Sequence, residues 1–332
     1  MHVFCTLRVI LKGPARRPVQ PVGVWRAREG NRVFRRYRPP FGPRGDGLVA
    51  RGAELMDSLR YPTNVVEVPL GLDPRIRRFR CEDEVDTFVI VTSRRLVIVD
   101  THSTPALAAQ LASLCIGPDD GDRLLVVNTH ADYDHAWGNQ LFSGPEAAFP
   151  APIVGHGRCA ERLTGDEGAE ELARGRAREP GRFDEVVLVP PEITAGDNGL
   201  TIHGGDLTLV LLHTPGHTDD HLSVWIPELR VVLAGDAAEH PWPHVDTPDG
   251  IAQARASLVR LQQLDPLYVL PCHGGTTEPA LLERNIAYLD AVAANPELPL
   301  AEAARIAGVT VEGLDPLYRD FHADLQAASR AR

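Results

Sequence analysis

The stretch "LLVVNTHADYDHAWGN", Leu124–Asn139, decides how the rest of the chain reads. It opens on Leu124–Val127, an apolar run short enough for a strand and apolar enough to be buried on both faces. His130, Asp132, Asp134 and His135 follow, four side chains of metal-ligating type within six residues. A strand would alternate them and a helix would splay them, so the spacing predicts a tight loop at the strand's end. Imidazole suits zinc, iron or manganese, and carboxylate suits the harder end of that range. Alone, the motif competes with ordinary turn and cap chemistry, where His and Asp are also common.

Three later stretches repeat the design. "LVLLHTPGHTDDH" carries a strand into His217 after a Pro-Gly turn, "RVVLAGD" ends on Asp236, and "LYVLPCHGG" ends on His273. Each is an apolar run delivering one ligand-type residue next to glycine or proline, a coincidence hard to obtain four times without a metal.

The series resembles the metallo-β-lactamase superfamily, whose pattern runs HxHxDH, then His in TPGHT, then Asp in GD, then His. The resemblance extends over about Val65 to His273. It implies an α/β fold, the αβ/βα sandwich of two mixed β-sheets with outer helices, and a binuclear site at one sheet edge. Carried over by position, it puts His130, Asp132 and His217 on a first metal and Asp134, His135 and His273 on a second, with Asp236 bridging. Asp134 is the implied catalytic residue, orienting a metal-bound hydroxide and helping with proton transfer. Two divalent ions are expected, zinc first, with manganese or iron as alternatives.

This sequence departs from the pattern at Asp132, where histidine is the rule. Counting only ions and carboxylate ligands, the extra aspartate lowers a site of +2 to +1 and favours oxygen-loving metals. The competing reading makes Asp132 a turn residue and leaves one strong metal position. Around the site, His102, Tyr133, His221, His240 and Trp242 are candidate pocket residues, drawn from loops at the ligand-bearing edge. Cys272 reads as a small buried hydrophobe.

Outside the motif, Val65–Leu72, Phe88–Val91, Leu96–Val99, Pro152–Val154, Val186–Val189, Leu207–Leu212, Leu222–Ile226, Arg230–Leu233 and Tyr268–Leu270 read as strands. Pro105–Cys115, Ile251–Leu264, Pro279–Ala294, Leu300–Ala307 and Pro316–Ala328 read as helices. Three regions follow: a basic, disordered extension over 1–60, a catalytic domain over 61–295 and a C-terminal helical extension over 296–332. Met1–Gly52 holds twelve basic residues against Glu29 and Asp46, leaving −21 on the rest of a chain whose net charge is −11. That arm is rich in Pro and Gly without apolar periodicity, so it cannot offset its ordering entropy. Either it is an idle extension, with Met56 as an alternative start, or it touches nucleic acid.

No run approaches the roughly 18 apolar residues of a membrane span. Arg8 interrupts the apolar start, which argues against a signal peptide. Five scattered cysteines without CxxC spacing fit a reducing cytoplasm. The expected activity is metal-dependent hydrolysis of a small-molecule ester, thioester or lactone, of the glyoxalase-II-like kind. The spacing from His217 to His273 leaves no room for the inserted domain of the nucleic-acid-processing branch, so the expected partner is a small molecule rather than nucleic acid or membrane, with a homodimer open. The alternatives are a ribonuclease-like phosphodiesterase and an iron-dependent oxygen or persulfide enzyme on the same fold.

Overall fold

The computed structural model describes residues 61–331, except residue 246 and the side chain of residue 248. The basic extension over 1–60 lies outside the described residues, as do Cys5 and Met56. Among the described residues, twelve strands form two sheets. The first runs in the order β1 (Val65–Val68), β2 (Ile76–Cys81), β3 (Val85–Val91), β4 (Leu96–Val99), β5 (Leu124–Val127), β6 (Ile153–His156) and β7 (Ile193–Ala195). Its first four strands are antiparallel and the pairs from β4 to β7 are parallel. The second sheet has the order β12 (Tyr268–Pro271), β11 (Val231–Gly235), β10 (Leu222–Ile226), β9 (Thr208–His213) and β8 (Leu200–His203), with β11 and β12 parallel and the rest antiparallel.

Period-two alternation explains why the second sheet is covered on both faces. Leu209, Leu211, Leu222, Val224, Ile226, Val231 and Leu233 face the core shared with the first sheet. Leu212, Val232, Ala234 and Val269 face outward, into a second core. That outer layer contains α5 (Pro248–Gln263), α6 (Ala280–Ala294), α7 (Leu300–Ala307) and α8 (Pro316–Arg330). On the first sheet, α1 (Pro105–Cys115) buries Leu107, Ala108 and Leu111 and is capped by Thr104, whose side chain accepts from the Leu107 amide. Next to the ligand loop, the one-turn α2 (Tyr133–Ala136) leads to a small third core around Trp137 and Phe183, shared with α3 (Gly157–Thr164) and α4 (Asp166–Arg178). Two mixed sheets with helices outside form the αβ/βα sandwich that the resemblance implies. No helix among the described residues is long and apolar enough to cross a membrane.

Several elements differ from the sequence reading for identifiable reasons. β2, "IRRFRC", was hidden by its three arginines, yet Arg78 is buried and donates to the carbonyls of Gly275 and Pro69. Val186–Val189 joins no sheet, because Arg176 and Asn139 donate to the Val186 and Val189 carbonyls. α3 and α4 escaped notice because few of their residues are apolar; α4 buries only Gly168, Leu172 and Gly175.

Candidate metal centre

The C-terminal ends of β5, β9, β11 and β12 bring the seven proposed ligands together. His130 and His135 are fully buried, and Asp134 and Asp236 are nearly so. Asp236 Oδ2 lies 3.8 Å from His130 Nε2, 3.3 Å from His135 Nε2, 3.7 Å from His217 Nε2 and 3.4 Å from His273 Nε2. On one side Asp132 Oδ2 is 3.5 Å from His130 Nε2 and 3.1 Å from His217 Nε2. On the other Asp134 Oδ2 is 3.5 Å from both His135 Nε2 and His273 Nε2. Metal bonds of roughly 2.0–2.2 Å in a tetrahedron put neighbouring ligand atoms about 3.3–3.6 Å apart. The observed spacings centre on that range.

Backbone geometry builds these positions. Asp134 and His135 sit on the single helical turn α2 rather than in the tight loop the spacing predicts; a helix is present after all, but one turn is too short to splay them. Asp132 stands at the N-cap of that turn, but its side chain makes no capping bond. Its carboxylate is instead shared between His217 and Arg162 of α3. Only its backbone carbonyl, which accepts from the His135 and Ala136 amides, serves the turn. Gly235 is required before Asp236: its φ is +55°, and a Cβ there would come within 2.5 Å of His221 Nε2. Gly216, before His217, would bring a Cβ within 2.3 Å of the Ala254 Cα on α5.

The rings are held from behind. His135 Nδ1 is 2.9 Å from Asp100 Oδ2, and Asp100 also accepts from the Thr129 amide and hydroxyl. His217 Nδ1 lies 3.0 Å from the His244 carbonyl, and His130 Nδ1 lies 2.9 Å from Thr129 Oγ1. Each arrangement turns Nε2 inward, the outer support that metal-bound imidazoles need. The buried Nε2 atoms of His130 and His135 and Oδ1 of Asp236 have no hydrogen-bond partner in the protein. Buried polar atoms are rarely left so, and divalent cations at the two positions would satisfy them, so the residues present fit the implied metals. Replacing Asp100 by Asn puts an amide N–H against His135 Nδ1. We expect this to weaken the second metal position about 10–100-fold, read by metal titration; unchanged affinity would show that Asp100 does not orient the ring.

Electrostatics agree. Burial opposes charge on His217 and His273, but the surrounding carboxylates outweigh it and raise both to about 10. Burial also works against the Asp132 and Asp236 carboxylates, yet the histidines hold both well below the ordinary carboxylate range. Without metal, therefore, protons occupy His217 and His273 at neutral pH, whereas metal ligation needs neutral imidazole. Metal binding is expected to release protons and to weaken as pH falls. Calorimetric titration near pH 7 in buffers of different ionisation heat counts them; heats independent of buffer would refute the prediction.

The candidate pocket residues divide. Tyr133 lines the cleft of about 830 Å³ over the ligands, with Asp132, Asp134, His217, Asp236 and His273. His102, His221, His240 and Trp242 do not line it. His221 is fully buried; its Nε2 accepts from the Asp236 amide and its Nδ1 meets Thr214 Oγ1, so it positions Asp236 from behind. His102 is buried behind the site at φ 62°, with burial and His135 lowering it to about 3. Trp242 is buried under α8, where Nε1 donates to the Tyr318 carbonyl. His240 lies behind Gly274, whose Cβ would meet its carbonyl at 2.3 Å. Cys272 does face the cleft, but burial raises its thiol far above neutrality.

Sequence reasoning missed Asp100, Arg162, Asp220, Glu239, Tyr318 and Phe321. Only Asp100 carried a usable signal: "VDTH" ends β4, the parallel neighbour of β5, so both strands deliver their last residues to one edge. Glu239 lines the cleft, accepts from Tyr318 Oη at 3.2 Å, and is raised to about 7 by burial and by Asp236.

Comparison with known proteins places this geometry. The chain is 27% identical over 186 residues to avaE of Aspergillus versicolor, a protein named as a transcription factor, covering 55% of this chain and 49% of that one. It is 34% identical over 80 residues to "Beta-lactamase-like protein 2 homolog" of Caenorhabditis elegans, covering 24% of this chain and 26% of that one. It thus spans about half or less of the length of these curated relatives. A beta-lactamase domain protein from Burkholderia ambifaria superposes with a TM-score of 0.56 at 18% identity, over 83% of this chain and 90% of that one, a likeness of fold. The model of the metallo-beta-lactamase superfamily matches residues 82–273, from the β2–β3 turn to the last proposed ligand, and the chain belongs to that superfamily.

Proposed function

We propose that this chain is a binuclear metal-dependent hydrolase acting on an uncharged small-molecule ester or lactone-type bond, with zinc as the leading metal. The observation that carries the reading is the placement of Asp236 Oδ2 within 3.3–3.8 Å of four inward-turned Nε2 atoms. His130, Asp132 and His217 would hold one ion, Asp134, His135 and His273 the other, and Asp236 both. Bound there, divalent ions supply Lewis acidity towards a carbonyl oxygen and acidify water for attack.

The chain's own residues then position and exchange protons. Burial opposes the Asp134 carboxylate, but His135 and His273 lower it, so it faces the cleft as a proton acceptor. Tyr133 and Tyr318 stand along the cleft walls, with Leu317 and Phe321 adding apolar surface. Among the described lining residues the arginines are Arg80 and Arg178. Arg80 is held by both oxygens of Asp86, and Arg178 pairs with Glu179, while Glu82, Asp83 and Asp315 add negative charge. Such a rim disfavours a polyanion, which supports an uncharged ester over a phosphodiester or a glutathione thioester.

The test is a panel of uncharged esters and lactones, glutathione thioesters and phosphodiesters, each run with zinc, manganese or iron and after chelation. Metal-restored turnover of the uncharged esters is the expected result. Phosphodiester cleavage alone, or no hydrolysis by protein with both ions bound, would overturn the reading.

A further inference from the structure

Asp132, the one departure in the ligand series, is shared between two sets of partners. Its Oδ2 faces His217 Nε2 at 3.1 Å and His130 Nε2 at 3.5 Å. Its Oδ1 accepts from Arg162 Nη2 at 2.8 Å. The other arm of the same guanidinium, Nη1, donates to Asp220 Oδ1 at 2.8 Å, and Asp220 Oδ2 accepts from the Ala131 amide at 2.9 Å. Arg162 Nε is fixed in turn by Glu167 at 3.0 Å. One rigid fork therefore ties the segment bearing His130 and Asp132 to the turn that follows His217.

We propose that Arg162 is a positioning residue for the first metal position, clamping Asp132 as a one-oxygen ligand and so allowing aspartate to stand where histidine is the rule. This rests on the metal-centre reading above. A carboxylate swings easily about its last torsion, and a planar guanidinium bonded to one oxygen leaves only the other for a cation. Two effects of Arg162 oppose each other. As a positive charge it repels a metal ion; as a clamp it favours one. The clamp dominates, because the fully buried Asp220 carboxylate already neutralises the guanidinium. The charge count made from the ligands alone thus omits a compensated Arg–Asp pair lying against the first position.

Cobalt titration, followed by stoichiometry and the visible bands of the loaded protein, tests this on three variants. Arg162→Lys keeps the charge without the fork. Arg162→Met with Asp220→Asn removes the fork without stranding a buried carboxylate. The third adds Asp132→His to that pair, an imidazole needing no clamp. The first two should weaken one cobalt about 10–100-fold, leave the other unchanged, and lose one set of bands. The third should recover both ions and the lost bands. Undiminished or tighter binding of both ions in the first two variants overturns the role of Arg162 alone, as does failure of Asp132→His to rescue. Wild-type protein that binds no cobalt overturns the metal-centre reading and this proposal with it. If the Met–Asn pair does not fold, Arg162→Lys decides by the same readout.

Discussion

Asp236→Asn is expected to empty both metal positions and to reduce hydrolysis by more than about 100-fold, beyond the range typical of an outer partner. The substitution keeps shape and backbone; the Asp236 amide still donates to His221 Nε2. What it removes is the one oxygen that all four inward Nε2 atoms share. An amide nitrogen in that place presents hydrogens to two cations, and an amide oxygen there carries no net charge. Neither position then keeps a full ligand set, so the loss cannot be confined to one ion. The raised pKa values of His217 and His273, partly owed to Asp236, should fall as well, and fewer protons should be released on adding metal. The checking measurements are metal content after dialysis and the rise in melting temperature on adding zinc, which binding to the native state alone must produce. A variant that retains two ions and the wild-type rise would remove Asp236 from the centre of the site.

The clustering of the candidate ligands was legible because each follows an apolar strand and belongs to the few residue types that bind metal. His130, His217, Asp236 and His273 sit at strand ends on one edge, as the repeated strand-then-ligand pattern implies. The partners behind them were not legible, since an Asp or Arg that orients a ligand looks like any turn or surface charge. Arg162 illustrates this: "GRCAERLT" gave no sign even of its helix, and only the fold shows Arg162 reaching two carboxylates thirty and fifty-eight residues away. Tyr133 lines the cleft as the pocket reading had it, whereas His221 and Trp242 do not, for a related reason. His221 and Trp242 lie close in sequence to ligands, but Asp236 is anchored from below by one, and the other is roofed by a helix about seventy residues later.

That roof gives the second large expected effect: deleting residues 315–332 should lower the melting temperature by at least about 8 °C and damage the first metal position more than the second. α8 buries His322, Leu325, Ala328 and Ser329. It also covers Trp242 and Tyr288, stacked with ring centroids 4.9 Å apart and both fully buried. His322, silent in the sequence, joins the layers: its Nε2 donates to the Leu298 carbonyl, so its Nδ1 accepts from Tyr288 Oη at 2.9 Å. Large aromatics bury roughly 150–250 Å² each. At about 25 cal/mol per Å², even partial exposure of the two costs about 4 kcal/mol, a large share of a typical stability of about 5–15 kcal/mol. The effect on the site follows a shorter path. Phe321 of α8 stacks on His244 with centroids 4.2 Å apart, and the His244 carbonyl takes His217 Nδ1 at 3.0 Å. The backing of His135, in the second position, comes instead from Asp100 at the end of β4 in the first sheet. Thermal unfolding and cobalt titration of the truncated protein separate these claims. An unchanged melting temperature would deny α8 its place in the core, and equal weakening of both ions would deny the route through His244.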